Sequence, residues 1–283
     1  MLHFLLEPLE FEFMRNAIFT AFLLGILCAV MGSYLIVQRM GLLGDVIAHA
    51  VLPGLAIAFF FSVDIFLGAF ISGTLSTWVI AWIQSQSRVK VDVAMALVFS
   101  GFLALGIMLI TLLKSKLDLH HFLFGDILGV TISDVWRTLV ITVVILLCVK
   151  LFYKELLFYT FDPLAAQAIG LPVNLIYFGL ISAITLTIIA SMHAVGVVLV
   201  VSLLIGPAIT AYLLVKELHQ MMIWGAVIGV IGSVNGMYIS YYLNVPSGAA
   251  IVLVISGLFI LALLLSPSEG ILTRILSNKL KHL

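Results

Sequence analysis

Two residues able to bind a cation lie close together in an otherwise apolar stretch, residues 40–60, MGLLGDVIAHAVLPGLAIAFF. Asp45 and His49 are four residues apart. In a helix this spacing places both side chains on one face, with Cβ atoms about 5–6 Å apart. A carboxylate and an imidazole at that separation can share one cation. Pro53 follows one turn later and predicts a kink in the helix.

The chemistry of this pair narrows the choice of cation without fixing it. A carboxylate oxygen and an imidazole nitrogen, with no thiolate nearby, suit Mn²⁺, Fe²⁺ or Zn²⁺ better than Cu⁺. We expect such an ion to be transported cargo and not a stably bound cofactor, because transport requires release. In the alternative interpretation, Asp45 caps a helix that begins at Val46 and His49 packs as a neutral ring.

The composition of the chain is that of a membrane protein. Of its 283 residues, 64% are hydrophobic and 9% are charged, against about 25% charged residues in soluble domains. An ionisable residue in a membrane helix costs about 2.5–3.5 kcal/mol and usually faces an aqueous path or a partner. The 13 basic and 13 acidic residues balance, so no basic field indicates a nucleic-acid partner.

Charge-poor runs of about 20 residues, the length that crosses a bilayer, recur along the chain. They predict an all-α polytopic membrane protein of eight to nine transmembrane helices. The runs are residues 17–37, 46–61, 65–83, 93–113, 135–149, 173–192, 195–215, 221–243 and 249–265. No connection is long enough for a nucleotide-binding fold, and the sequence has no GxxxxGKS/T phosphate loop. We therefore expect residues 1–283 to form a single transmembrane domain without an ATPase site of its own.

The basic residues predict the orientation of the spans, since lysine and arginine favour cytoplasmic loops. We place the loop of residues 150–172 in the cytoplasm. The basic residues on that side are Arg39, Arg88, Lys90, Lys150, Lys154, Lys216, Arg274, Lys279 and Lys281, and those on the other are Arg15, Lys114, Lys116 and Arg137. The larger group lies inside, as the rule requires.

The cytoplasmic loop contains a second informative stretch, residues 158–172, FYTFDPLAAQAIGLP. Asp162 and Pro163 favour a helix start, and Gly170 followed by Leu and Pro favours its end. A short helix between two spans is the expected structure. It is either an interfacial connector or a docking helix presented to a cytoplasmic subunit.

Five segments in this order resemble the permeases of the ABC metal-importer family for manganese, zinc and ferrous iron. They are MGLLGDVIAHAVLPG, FLFGDIL, ELLFYTFDPLAAQAIGLP, VGVVLVVSLLIGPAITAYLL and VPSGAAIVLV. The resemblance spans nearly the whole chain, and the HAVLPG form is more similar to the manganese branch than to the zinc branch.

The resemblance implies a type II-like permease bundle in a bacterial cytoplasmic (inner) membrane. Its implied partners are a second copy of this chain, two cytoplasmic ATPase subunits and an extracytoplasmic metal-binding protein. Asp45 and His49 fall on the family's Asp-x-x-x-His pattern. The implied coupling helix, which docks in a groove of the ATPase, includes Asp162, Pro163, Ala165, Ala166 and Gly170.

Other polar residues are weaker candidates for the metal path. His193 ends a span near the outer face, where it either attracts a cation or closes a helix end. Asn235 lies in a glycine-rich run, where it lines the path or bonds across helices. His120 and His121 are expected to be solvated or docking residues.

Two other function classes compete with an ATP-driven permease. In a proton-coupled secondary metal transporter, Asp45 and His49 would relay protons, but the segment of residues 158–172 would be unnecessary. The sequence also shows no clear internal repeat of the kind common in secondary transporters. A membrane anchoring subunit gives no reason for an acid and a histidine in an apolar stretch.

Overall fold

A computed structural model of the chain describes residues 7–113, 125, 127–266 and 270, with the backbone alone at His193. The expectations for His120 and His121 lie outside these residues. So do those for five of the basic residues used to orient the chain, namely Lys114, Lys116, Arg274, Lys279 and Lys281.

Helices account for all regular structure in the described ranges. Within lipid a helix satisfies its own backbone polar groups, so apolar runs of this length fold as helices. The α-helices are α1 Glu12–Val37, α2 Leu43–Ala50, α3 Leu52–Phe60, α4 Ile65–Gln86, α5 Val91–Leu112, α6 Ile132–Leu151, α7 Tyr153–Phe161, α8 Pro163–Ala168, α9 Val173–Val195, α10 Val197–Leu214, α11 Leu218–Leu243 and α12 Ser247–Leu265. Short 3₁₀ turns cover Glu7–Glu10 and Ile127–Gly129.

Nine segments of the described chain are long and apolar enough to cross a membrane, with α2 and α3 forming one span. The prediction of an all-α bundle with eight to nine spans is confirmed. Helix α1 lies at the centre of this bundle, and 78% of its most apolar 18-residue stretch is buried. It packs mainly against α11 and α10, and also against α6.

The span formed by α2 and α3 is interrupted at Val51, as Pro53 predicted. Proline has no N–H to donate, so the regular ladder of backbone hydrogen bonds is broken there. The hydroxyl of Ser72 in α4 donates to the carbonyl oxygen of Ala50 at 2.7 Å. Helix α4 thus satisfies a backbone acceptor at the break and fixes the direction in which α2 enters the bundle.

The α3 part of this span is held by a very close approach of two glycines. A Cβ added at Gly54 in α3 would lie 2.0 Å from the carbonyl oxygen of Gly68 in α4. Only glycine at both positions allows these backbones to meet, a known device for packing membrane helices.

Gly54→Ala is expected to force α3 and α4 apart, since neither backbone can yield independently. Overpacking of this kind destabilises by about 1–3 kcal/mol, so the melting temperature of the purified protein in detergent should fall clearly. Gly179→Ala is the matched control, because nothing lies within 4 Å of a Cβ built at Gly179. Equal melting temperatures for the two variants would contradict the close packing.

Candidate functional site

Asp45 and His49 share one face of α2. Asp45 lies in the first turn of the helix and His49 in its last turn. The Nδ1 atom of His49 is 3.5 Å from Oδ1 of Asp45, and the side chains are 21% and 47% exposed for His49 and Asp45. The predicted juxtaposition of acid and imidazole is therefore present, with both side chains partly accessible.

The imidazole of His49 is oriented by the backbone of its own helix. Its Nδ1 lies 3.0 Å from the carbonyl oxygen of Asp45. A carbonyl oxygen can only accept, so this hydrogen bond requires the proton to be on Nδ1. In the neutral ring, Nε2 then carries the lone pair that a divalent metal can accept. The ring also meets Phe99 edge-on, with centroids 5.0 Å apart.

The alternative in which Asp45 caps the helix is contradicted by where the helix begins. Helix α2 starts at Leu43, so Asp45 lies inside its first turn, and the N-cap residue Leu42 makes no side-chain capping hydrogen bond. A carboxylate in the first turn still interacts favourably with the helix dipole. Its oxygens nevertheless are not engaged in a cap.

Contacts of α2 place the pair near the middle of the bundle. A Cβ added at Gly73 would lie 3.3 Å from Cγ1 of Val51 and 3.4 Å from Cγ2 of Ile47. Gly73 lies well inside α4, far from both ends of that helix. Phe99, which contacts the ring of His49, is likewise well inside α5. A half-exposed carboxylate at this depth would face hydrocarbon unless another surface or water covered it.

The described part of one chain supplies only these two titratable ligands at this point. Among the described residues, no three His, Cys, Asp or Glu side chains cluster closely enough to hold a metal ion. A divalent ion bound here would need further ligands from water or from a second chain.

Asn235 is not brought to the pair in any described contact. The amide of Asn235 donates to the carbonyl oxygen of Ile231 at 2.7 Å, on an exposed face of α11. Helix α11 packs mainly on α1, α10 and α12, whereas α2 packs mainly on α4, α5, α9 and α10. His193 lies in the last turn of α9.

The predicted short helix between two spans is present as α8. The Oδ1 atom of Asp162 accepts a hydrogen bond from the backbone N–H of Ala165 at 2.9 Å and so caps the helix. Pro163 occupies its first turn. Gly170 follows the helix with φ of 85°, a left-handed conformation that favours glycine. The Asp-Pro and Gly signals therefore act as the sequence indicated.

The two sides of α8 differ sharply in exposure. Leu164 is 79% exposed and Ile169, directly after the helix, is 64% exposed, whereas Ala166 is fully buried. A bulky charge at Ala166 would therefore disrupt the packing of α8 itself and would not report on docking alone. The surface available to another protein is the one that Leu164 and Ile169 form, and the composition of the segment did not reveal it.

Comparison with known proteins shows similarity over almost the entire chain. The ABC 3 transport family matches residues 10–266. The manganese transport system membrane protein MntC of Listeria monocytogenes is 42% identical over 269 residues, covering 95% of this chain and 96% of MntC. A probable iron transport system membrane protein of Haemophilus influenzae is 39% identical, covering 93% of this chain and 97% of its own length.

A solved structure shows the same architecture. PsaBC from Streptococcus pneumoniae in complex with Fab contains a chain that superimposes with a TM-score of 0.86 at 39% identity. The match covers 98% of this chain and 99% of the other.

Proposed function

Because the chain belongs to the ABC 3 transport family, we propose that it is the permease subunit that carries Mn²⁺ inward across a bacterial cytoplasmic membrane. The observation that carries the proposal is the pair of Asp45 and His49, oxygen and nitrogen ligands that are both partly exposed near the middle of the bundle. Similarity to proteins named for manganese transport favours Mn²⁺ as the cargo. Similarity to a protein named for iron transport makes Fe²⁺ the second candidate for the transported ion.

The exposure of Asp45 supports a path between two copies of the chain. A carboxylate facing lipid at this depth is strongly unfavourable, so its exposed side requires water or protein. Two copies related by a two-fold axis would present the same face to each other. Asp45 and the Nε2 atom of His49 from each copy would then give four ligands to one ion, which no single chain supplies among its described residues.

The segment around α8 is proposed to couple this path to ATP hydrolysis on two cytoplasmic ATPase subunits. Asp162, Pro163 and Gly170 set the start and end of the helix. Ala165 and Ala166 keep its inner side small, so that α8 packs closely on its neighbours. Leu164 and Ile169 supply the apolar surface that enters a groove of the ATPase.

The remaining parts of the transport cycle follow from family membership and from orientation. The ATPase site lies on the partner subunits, and an extracytoplasmic metal-binding protein delivers the ion to the outer face. The chain acts as one transmembrane domain, with the loop that contains α7 and α8 in the cytoplasm.

The proposal is tested by reconstituting the permease, its ATPase and the delivery protein in proteoliposomes and measuring uptake of labelled Mn²⁺. We expect uptake to require ATP and to survive collapse of the proton gradient. Uptake that is lost with the gradient but persists with an inactive ATPase would instead establish the secondary transporter.

The orientation of the His49 ring leads to a specific prediction about its substitutes. The side-chain amide of glutamine reaches the position of Nε2, whereas that of asparagine reaches the position of Nδ1. Since Nδ1 is engaged with the helix backbone, His49→Gln should keep more Mn²⁺ uptake than His49→Asn, by about tenfold, the effect of one ligand interaction of about 1.4 kcal/mol. Equal loss in both variants, at matched membrane abundance, would mean that Nε2 is not the ligand.

His193 and Asn235 stay predictions as secondary contributors to the path. Their direct test is Mn²⁺ uptake by His193→Ala and Asn235→Ala beside the variants at Asp45 and His49. A loss confined to one of them would identify a further point of contact with the ion.

A further inference from the structure

The coupling segment, which comprises α7 and α8, touches the turn that precedes the ligand-bearing span through one side-chain hydrogen bond. The amide of Gln38, at the end of α1, donates to the hydroxyl oxygen of Thr160 in α7 at 3.5 Å. The Thr160 hydroxyl itself donates to the carbonyl oxygen of Leu156 at 2.6 Å. Both Gln38 and Thr160 are partly buried. Among the described residues this is the one side-chain hydrogen bond between α7 or α8 and the chain that precedes Asp45.

Thr160 lies immediately beside the proposed ATPase-docking helix. Only Phe161 separates it from Asp162, whose carboxylate caps α8. The N–H of Asp162 also bonds the carbonyl oxygen of Phe158 at 3.0 Å, which ties the cap of α8 to the last turn of α7. A displacement of α8 is therefore passed on to Thr160.

The turn that begins at Gln38 is tightly built. Arg39 has φ of 58°, a left-handed conformation that is uncommon for any residue other than glycine. Its N–H bonds the carbonyl oxygen of Ile36 at 3.1 Å, and that of Met40 bonds the carbonyl oxygen of Leu35 at 2.8 Å. This pair of hydrogen bonds is the Schellman arrangement, which closes a helix end into a compact unit.

The same turn continues into α2 without a loose segment. The N–H of Leu43 bonds the carbonyl oxygen of Met40 at 2.9 Å. Met40 is 9% exposed and Leu43 is 1% exposed, so the turn is anchored in the core. A movement applied at Gln38 therefore reaches the first turn of α2, where Asp45 lies, instead of being absorbed by flexible backbone.

We propose that Gln38 is a positioning residue that links the ATPase-driven movement of α7 and α8 to the helix holding Asp45 and His49, through its hydrogen bond to Thr160. The inference rests on the proposed function. Movement of the docking helix pulls on the turn at residues 38–42, and the turn tilts α2 with its two ligands. Without this hydrogen bond the ATPase still docks, but only part of the movement of α7 and α8 reaches α2.

A second route from the coupling segment to α2 runs through packing alone. The rings of Tyr159 in α7 and Tyr177 in α9 have centroids 6.3 Å apart, and α9 packs on α2. Burial, and secondarily the nearby Tyr177, raises the pKa of Tyr159 to about 12. The phenol is therefore neutral, and its ring meets that of Tyr177 by packing.

The test is the number of Mn²⁺ ions transported per ATP hydrolysed by the reconstituted complex. Gln38→Ala should lower this ratio about twofold, the lower end of the effect of one neutral hydrogen bond, because the contact is long. Copurification of the ATPase should be unchanged. Gln220→Ala is the matched control. Its amide bonds the carboxylate of Glu217 at 3.1 Å and makes no hydrogen bond to Thr160, and its ratio should stay at the wild-type value.

A double variant separates the proposed link from general destabilisation. Gln38→Ala combined with Thr160→Val should lower the ratio no further than either change alone, because both remove the same contact. Additive losses, an unchanged ratio in Gln38→Ala, or a loss produced by Tyr159→Leu alone would overturn the inference while wild-type uptake stays intact. A wild-type complex without ATP-driven uptake would overturn the proposed function and this inference together.

Discussion

Asp45→Asn is expected to reduce uptake of labelled Mn²⁺ about 100-fold, with the permease at wild-type abundance in the membrane. Asparagine preserves the size of the side chain but removes the charge that attracts and binds the ion. A charged interaction is worth about 1.5–3 kcal/mol, and losing the lower value from each of two copies already gives a loss of this order. The uptake assay in cells that carry the whole system measures it, and excess Zn²⁺ as a competitor is the natural second measurement.

Asp92→Asn is the matched control for this variant. Asp92 also lies in the first turn of a membrane helix, α5, but it is exposed at the helix end. Both substitutions remove one favourable interaction with a helix dipole, so any difference between them reports the role of Asp45 in the path. Normal uptake by Asp45→Asn would reduce Asp45 to a helix-stabilising residue and move the search for ligands to His193 and Asn235.

Leu164→Glu is expected to abolish copurification of the cytoplasmic ATPase while the permease still inserts and folds. Leu164 is 79% exposed, so a charge there costs nothing in the isolated permease. In the complex, the variant loses the burial of a leucine, about 1.5–3 kcal/mol, and buries an unpaired charge. We expect the affinity for the ATPase to fall at least about 100-fold.

Val89→Glu provides the comparison for the coupling variant. Val89 is also an exposed apolar residue, 41% accessible, in the connection between α4 and α5 on the side assigned to the cytoplasm. The same change there should leave the ATPase bound. If Leu164→Glu retained the ATPase as well as Val89→Glu does, α8 would be a connector between spans and nothing more.

The spans and the short helix α8 were predictable because their signals are local. Bilayer thickness sets the length of an apolar run, and nine such runs are nine spans in the described chain. Asp162 and Gly170 act on their own backbone, one as a cap and the other through its positive φ. None of these features depends on which helices become neighbours.

The sequence predicts that helix α2 starts at Val46, three residues later than Leu43. The interactions that start the helix are not local, so the sequence pattern misses them. Arg39 adopts a left-handed conformation that sequence rules reserve for glycine. Burial of Met40 and Leu43 in the core stabilises this turn. The helix can then begin at Leu43, which places Asp45 inside the first turn and not at the cap.

Hydropathy and helical spacing, which are properties of the chain alone, predicted the class of protein, eight to nine spans and the pairing of Asp45 with His49. Helix packing sets the remaining features. The pair lies near Gly73 and Phe99 at mid-bundle depth. Ala166 is buried while Leu164 is exposed, and Gln38 meets Thr160. Each of these features depends on how helices distant in sequence pack against one another. The sequence does not predict this packing, because a membrane helix carries apolar side chains on every face.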